Sequence, residues 1–246
     1  MDALVLRSDA DGVATLTLNR PDALNALSPS MFVELRAHLE TLAEQPESCG
    51  AVVLTGAGRS FSAGNDLKAI QAGERAPSPH FQAETLDLIE AMPQVVVAAV
   101  KGHCYTGSLE LAIACDLLIC GDDVRFCDTH GRYAMVPTWG MITRLPERLG
   151  PLAAKDMMYS GRVVGAEEAV RIGLANRSVP ADELGAAAQQ WAAEIAANSW
   201  HTLSHEKRMM RELGDKGRAE GLRWGREDGP GAGPDMVDRI KASFGR

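Results

Sequence analysis

Two segments of the chain repeat one arrangement, and it restricts the fold more than any other feature. AVVLTGAGRSFSAGNDL (51–67) and VVVAAVKGHCYTGSLELAI (95–113) each pass from an unbroken apolar run, through a glycine-containing turn, into a helical pattern. An apolar run without polar alternation reads as a strand buried on both faces. Strands of that kind separated by helices favour an α/β core over an all-β one. The rest of the first part agrees. Val13–Leu18 (VATLTL) alternates like a half-buried strand, and Leu117–Cys120 is a further short buried strand. Ser28 or Ser30 can cap a helix through about Leu42, with Phe32, Leu35, Leu39 and Leu42 at helical spacing. Phe81–Met92 repeats that pattern until Pro93 stops it.

Beyond residue 150 the character changes to Gly/Ala-rich helical stretches: Pro151–Tyr159, Ala166–Ile172, Asp182–Asn198, Thr202–Leu213 and Gly217–Arg226. A turn-rich break, GPGAGP (229–234), precedes a last helix at Asp235–Phe244. The expectation is an α/β core over residues 1–150 and a helical region over 151–246.

The two turns also suggest chemistry. A helix N-terminus exposes unpaired backbone N–H groups and partial positive charge. If both turns converge, their N–H groups form an oxyanion hole, each donor contributing on the order of 3 kcal/mol. Two ordinary strand-to-helix connections fit the same pattern. The first turn is not a phosphate loop, since Phe61 stands where GxGxxG needs its third glycine. Glu110, one turn inside the apolar helix SLELAIAC, is a carboxylate in a place where burial is costly; local hydrogen bonds or a catalytic role would account for it.

Composition narrows the partners. A net charge of −8 and a pI near 5.3 argue against nucleic acid as the main partner. The five cysteines form no CxxC pair, so neither a disulfide framework nor a metal site is expected, and a reducing, cytoplasmic setting is. MDALVLRSDADG has no basic leader pattern. The most apolar stretch, QVVVAAVKGHCYTGSLELAIACDLLIC, is broken by Lys101, His103, Glu110 and Asp116, so no membrane partner is expected.

Five segments, in order, carry a resemblance: LTLNRPDALNALS (16–28), GRSFSAGNDLKAI (58–70), GHCYTGSLELAIACDLLIC (102–120), VPTWGMITRLPERLG (136–150) and SGRVVGAEEAVRIGLANRSVP (160–180). With these the chain resembles the crotonase (enoyl-CoA hydratase/isomerase) superfamily over almost its whole length. The resemblance implies a spiral of ββα units with a C-terminal helical extension, assembled as a homotrimer or dimer of trimers through residues 151–246. It implies enolate stabilisation on an acyl-CoA thioester, with no metal or redox cofactor and coenzyme A as part of the substrate. It puts the oxyanion N–H groups on Ala63 and Gly107, the pantetheine and adenine beside Asp66 and Leu67, and the other side of the CoA against Ala23 and Leu24. Arg20, Arg59 and Lys68 become candidate phosphate neighbours, and Lys207 or Lys241 candidates from the C-terminal helices.

In hydratases of the superfamily the glutamate matching Glu110 activates water, and a second glutamate follows twenty residues later. Here that position is His130. Imidazole accepts or gives a proton near neutral pH, so Glu110 as base and His130 as acid form a coherent pair. A histidine that only orients Glu110 or a water, or that hydrogen-bonds the thioester, is also consistent. Asp128 reads as a loop cap and His103 as structural. DTHGR followed by PTWG resembles a subgroup described as hydratases. The expected activity is therefore hydration of a 2-enoyl-CoA to a 3-hydroxyacyl-CoA, as in fatty acid metabolism. The alternatives are hydrolysis, C–C bond cleavage, isomerisation or decarboxylation of another CoA thioester, or a non-catalytic thioester- or RNA-binding role. Trp139 and Met141 replace small residues of the superfamily's glycine-rich stretch, which implies a filled acyl end and a short or medium chain. The loop Gly73–His80 either borders the acyl site or is plain surface.

Overall fold

The computed structural model describes residues 3–214 and 216–244; Met1 and Asp2, which begin the segment read for a leader, and the last two residues of the expected helical region lie outside them. A six-stranded sheet forms the frame. The hairpin of β1 (Val5–Ala10) and β2 (Val13–Leu18) is antiparallel. Its Asp11–Gly12 turn places both residues at positive φ, which suits the right-handed twist of a tight hairpin. β2 then pairs in parallel with β3 (Ala51–Gly56), followed in space by β4 (Val95–Val100), β6 (Leu117–Gly121) and β8 (Arg177–Val179), all parallel. A second, two-stranded parallel sheet pairs β5 (His103–Tyr105) with β7 (Arg125–Cys127).

The continuous apolar runs are explained by the packing. On one face, Val52, Leu54, Val96 and Ala98 pack with Leu35 and Leu39 of α1 (Pro29–Glu44) and with Leu86 and Ile89 of α3 (Phe81–Ala91). On the other, Ala51, Val53, Val97, Ala99 and Ile119 meet Leu184, Ala188, Trp191 and Ala192 of α8 (Leu184–Ala196). Each fully buried Val or Leu contributes about 1.5–3 kcal/mol by leaving water. Ser28 caps α1, its hydroxyl accepting from the N–H of Met31 at 3.2 Å.

The division expected at residue 150 marks a change of secondary structure but not of core. Residues after it form α6 (Pro151–Ser160), α7 (Ala166–Arg171), α8, α9 (Trp200–Leu213), α10 (Arg218–Glu227) and α11 (Met236–Phe244). They also supply β8 to the main sheet and α8 to its second face. β8 is a three-residue strand whose Arg177 and Ser178 are exposed, so no hydrophobic period announces it. Among the described residues, no helix is long and apolar enough to cross a membrane.

Candidate active site

The two strand–turn–helix segments converge. The N–H of Phe61 donates to Lys101 O at 2.7 Å, that of Ser62 to His103 O at 2.9 Å, and Ser108 Oγ donates to Ser62 O at 2.8 Å. A Cβ on Gly64 would lie 2.6 Å from Tyr105 O, so glycine is required for this approach.

Convergence also tests the donors. The Ala63 N–H, expected at the oxyanion site, is engaged by Leu24 O at 2.9 Å. Leu24 and Asn25 adopt left-handed backbone (φ 49° and 52°), which turns that carbonyl toward Ala63. Two residues on, Asn65 is bridged to Leu27, but through its neighbours: Leu27 N–H reaches Gly64 O and Asp66 N–H reaches Leu27 O. The Asn65 N–H has no acceptor among the described residues, and neither has the N–H of Gly107 at the start of α4 (Gly107–Ile113). Asn65, not Ala63, carries the available amide of the first turn.

Thr106 precedes Gly107 with φ 56° and ψ −113°, an unusual conformation for a β-branched residue that costs about 1–3 kcal/mol. Bonds to the neighbouring loop hold it there. Its N–H donates to Cys127 O at 2.9 Å, its hydroxyl accepts from Thr129 N–H at 3.2 Å, and the two threonine hydroxyls bond each other. The strained turn is thereby fastened to the segment that carries His130.

Glu110 is 1% exposed. Its Oε1 accepts from the N–H groups of Trp139 at 2.9 Å and Met141 at 3.1 Å, at the N-terminus of α5 (Met141–Leu149). Gly140, at φ 111°, lets both amides aim at one oxygen. Arg144 locks this corner through Trp139 O at 2.6 Å, Glu90 at 2.7 Å and Asp87 at 2.6 Å. Burial pushes the Glu110 carboxyl above its ordinary value, against the pull of the Met141 N–H, His130 and the Trp139 N–H. Oε2 is left facing His130, whose Nε2 lies 3.7 Å away. That gap exceeds a direct hydrogen bond, and a water set to one side of it can bond to both atoms. The ring's other nitrogen, Nδ1, donates to Asp128 Oδ1 at 2.6 Å. Asp128, read from the sequence as a loop cap, does accept the His130 backbone N–H at 3.0 Å, and holds the imidazole as well.

The remaining candidates divide. Ala23, Asp66 and Leu67 share a cavity of about 520 Å³ with Arg20, Asn65 and Lys68. Leu24 contributes its carbonyl to Ala63 and does not line that cavity. Arg20 is tied to Asp66 at 2.7 Å, and Asp66 also caps α2 (Leu67–Gln71) through the Ala69 N–H at 3.0 Å. Burial draws the Asp66 carboxyl up, but these hydrogen bonds and the Arg20 charge outweigh it and hold the carboxyl below its usual range. Lys68 and Arg59 are exposed. Lys207 is buried with Asp116 at 2.7 Å and donates to Ile89 O and Gln94 O, both at 2.8 Å, so it is structural and not a phosphate contact. Lys241 is exposed. His103 packs edge-on against Tyr105 with Nδ1 3.0 Å from Ser60 Oγ. The Trp139 indole lies over Gly107, where an added Cβ would come 2.4 Å from the ring, and meets Phe32 edge-on at 5.1 Å.

The chain is similar to known proteins in sequence and in fold. The family model described as enoyl-CoA hydratase/isomerase matches residues 8–223. The chain is 35% identical over 215 residues to a carnitinyl-CoA dehydratase of Proteus mirabilis, covering 86% of this chain and 81% of that one. The crystal structure of an enoyl-CoA hydratase from Bacillus anthracis superposes with a TM-score of 0.91 at 29% identity, covering 98% and 95% of the two chains. That of an enoyl-CoA hydratase from Mycobacterium tuberculosis H37Rv gives a TM-score of 0.77 at 36% identity, covering 89% and 94%.

Proposed function

The chain belongs to the enoyl-CoA hydratase/isomerase family, with the crotonase fold, and from that premise we propose that it adds water to a 2-enoyl-CoA to give a 3-hydroxyacyl-CoA. The observation that carries this reading is the 3.7 Å gap between Glu110 Oε2 and His130 Nε2, one helical turn from the free amide of Gly107.

The thioester oxygen accepts from the Asn65 and Gly107 N–H groups, which favour the enolate over the neutral thioester because negative charge develops on that oxygen. Water bonds to both Glu110 Oε2 and His130 Nε2 from one side of the line that joins them. Glu110 takes a proton from it as its oxygen bonds the β-carbon, and His130, protonated for this step on both ring nitrogens, gives the Nε2 proton to the α-carbon and keeps the one on Nδ1. The proton on Glu110 then returns to His130, so neither group is consumed. The Trp139 and Met141 N–H groups keep Oε1 fixed and leave Oε2 as the reacting oxygen. The name of the Proteus mirabilis relative describes a dehydratase, and loss of water from a 3-hydroxyacyl-CoA is the same chemistry in reverse.

The Trp139 ring over Gly107 narrows the space beside the oxyanion turn and supports a short acyl chain. The cavity beside Ala23, Asp66 and Leu67, with Lys68 at its exposed edge, suits the nucleotide half of CoA. Exposed Leu152 (82%) and Tyr159 (79%) on α6 support a homo-oligomer, for which the family resemblance suggests a trimer or dimer of trimers.

The test is hydration of trans-2-butenoyl-CoA followed by product mass. A gain of one water supports the proposal; cleavage or an unchanged mass overturns it. Glu110→Gln and His130→Ala should each lower kcat by about a hundredfold or more with little change in KM.

A further inference from the structure

The segment Cys127–His130 holds a second buried carboxylate. Asp128 is 2% exposed and His130 is 8% exposed. A buried carboxylate is tolerated only where hydrogen bonds replace its water. Among the described residues, both bonds accepted by the Asp128 side chain come from His130, and both go to Oδ1: the backbone N–H at 3.0 Å and the ring Nδ1–H at 2.6 Å. A loop cap needs only the first. The second is the shorter bond, and a loop cap does not account for it.

Its consequence lies on the far side of the ring. A neutral imidazole carries one proton, and a carboxylate at Nδ1 places it there. Nε2 is then the nitrogen that faces Glu110 Oε2, free to accept a proton and, once charged, to give it. The charged groups around the ring are Asp128 on its own loop and Glu110 from α4, so an imidazolium would lie between two carboxylates.

We propose that Asp128 is a positioning residue that fixes the tautomer and plane of His130, so that Nε2 and not Nδ1 exchanges protons with water and substrate. The proposal rests on the hydration reading above. Asp128 acts by orienting the ring through Nδ1–H and is not a proton relay. The loop does not depend on it for its path: Thr129 N–H to Thr106 Oγ1 and Thr106 N–H to Cys127 O anchor the same segment independently.

Asp128→Asn tests this with a side chain of the same shape and no charge. Expected with trans-2-butenoyl-CoA are a kcat lower by on the order of a hundredfold, KM within about twofold, and an unchanged thermal midpoint. ¹⁵N resonances of the His130 ring should report Nδ1–H in the parent and a shift toward Nε2–H in the variant. On a His130→Ala background the same substitution should cause no further loss, because its effect passes through the ring. A variant with parent kcat and an unaltered Nδ1–H tautomer would overturn the proposal. So would an equal loss with and without His130. Full turnover by His130→Ala alone would sink the hydration reading instead, while the ring tautomer still reports on Asp128.

Discussion

The N–H of Trp139 donates to Glu110 Oε1 at 2.9 Å while the same residue's indole lies over Gly107. One residue thus fixes the buried carboxylate with its backbone and covers the oxyanion turn with its side chain. The two duties are separable, since a substitution at Trp139 removes the ring and keeps the amide. Trp139→Ala should leave the carboxylate held and enlarge the space beside Gly107. The expected outcome is a rise of about tenfold or more in the ratio of kcat/KM for an eight-carbon over a four-carbon 2-enoyl-CoA, a methylene in an apolar pocket being worth roughly 1–3 kcal/mol. An unchanged ratio would show that the ring does not limit the chain.

The amide assignment yields a measurement that needs no mutation. Ala63 N–H is bonded to Leu24 O, whereas the N–H groups of Asn65 and Gly107 have no acceptor among the described residues. In residue-resolved hydrogen exchange, Ala63 should be protected in the free protein and unaffected by ligand. Asn65 and Gly107 should exchange faster and become protected on addition of butanoyl-CoA. Protection gained at Ala63 instead would return the donor role to that residue.

The family resemblance alone put the first donor on Ala63. Its amide and that of Asn65 flank Gly64, a bend at φ 99°, and only the partner segment decides which is free. That partner is Leu24, whose left-handed backbone nothing in RPDALNAL announces, since Leu rarely adopts it. By contrast β3 and β4 were legible because both faces are buried, and Glu110 because a carboxylate inside an apolar helix stands out. His130 opposite it was legible only through the family resemblance, because spacing along a chain does not say which loops meet. Asp128 was half legible: the cap is local, but the bond to the ring depends on a rotamer. β8 was not legible at all, being too short and too polar.

Lys207 separates structure from ligand binding in the C-terminal region. Its ammonium is 2.7 Å from Asp116, and burial raises the Asp116 carboxyl while Lys207 pulls it back. Lys207→Met would leave that carboxylate without its counter-charge, a loss of about 3 kcal/mol. For a chain of this size the thermal midpoint should fall by roughly 6–12 °C. KM for acyl-CoA, measured well below that midpoint, should not move, whereas a phosphate contact would show the reverse pattern.

The raised carboxyl of Glu110 gives a pH-dependent stability with a definite sign. Burial, the largest cause, outweighs the hydrogen bonds from Met141 and Trp139 and the charge of His130, so the folded value lies above the unfolded one, near 4.5. Between those two values folding takes up a proton, and stability falls as pH rises through the window. Above it the parent keeps a buried charge that Glu110→Gln lacks, while the amide oxygen can still accept from Trp139 and Met141. The variant should therefore melt higher than the parent at neutral pH, and the difference should shrink as pH drops below the window. The same shift moves the acid limb of kcat/KM above an ordinary carboxylate's position, because Glu110 must be ionised to take a proton from water. Thermal melts of both proteins from about pH 4 to about pH 8 check the first outcome and a pH–rate profile the second. A variant less stable than its parent at neutral pH would mean that the ionised carboxylate holds the corner of α4 and α5 together more strongly than burial opposes it.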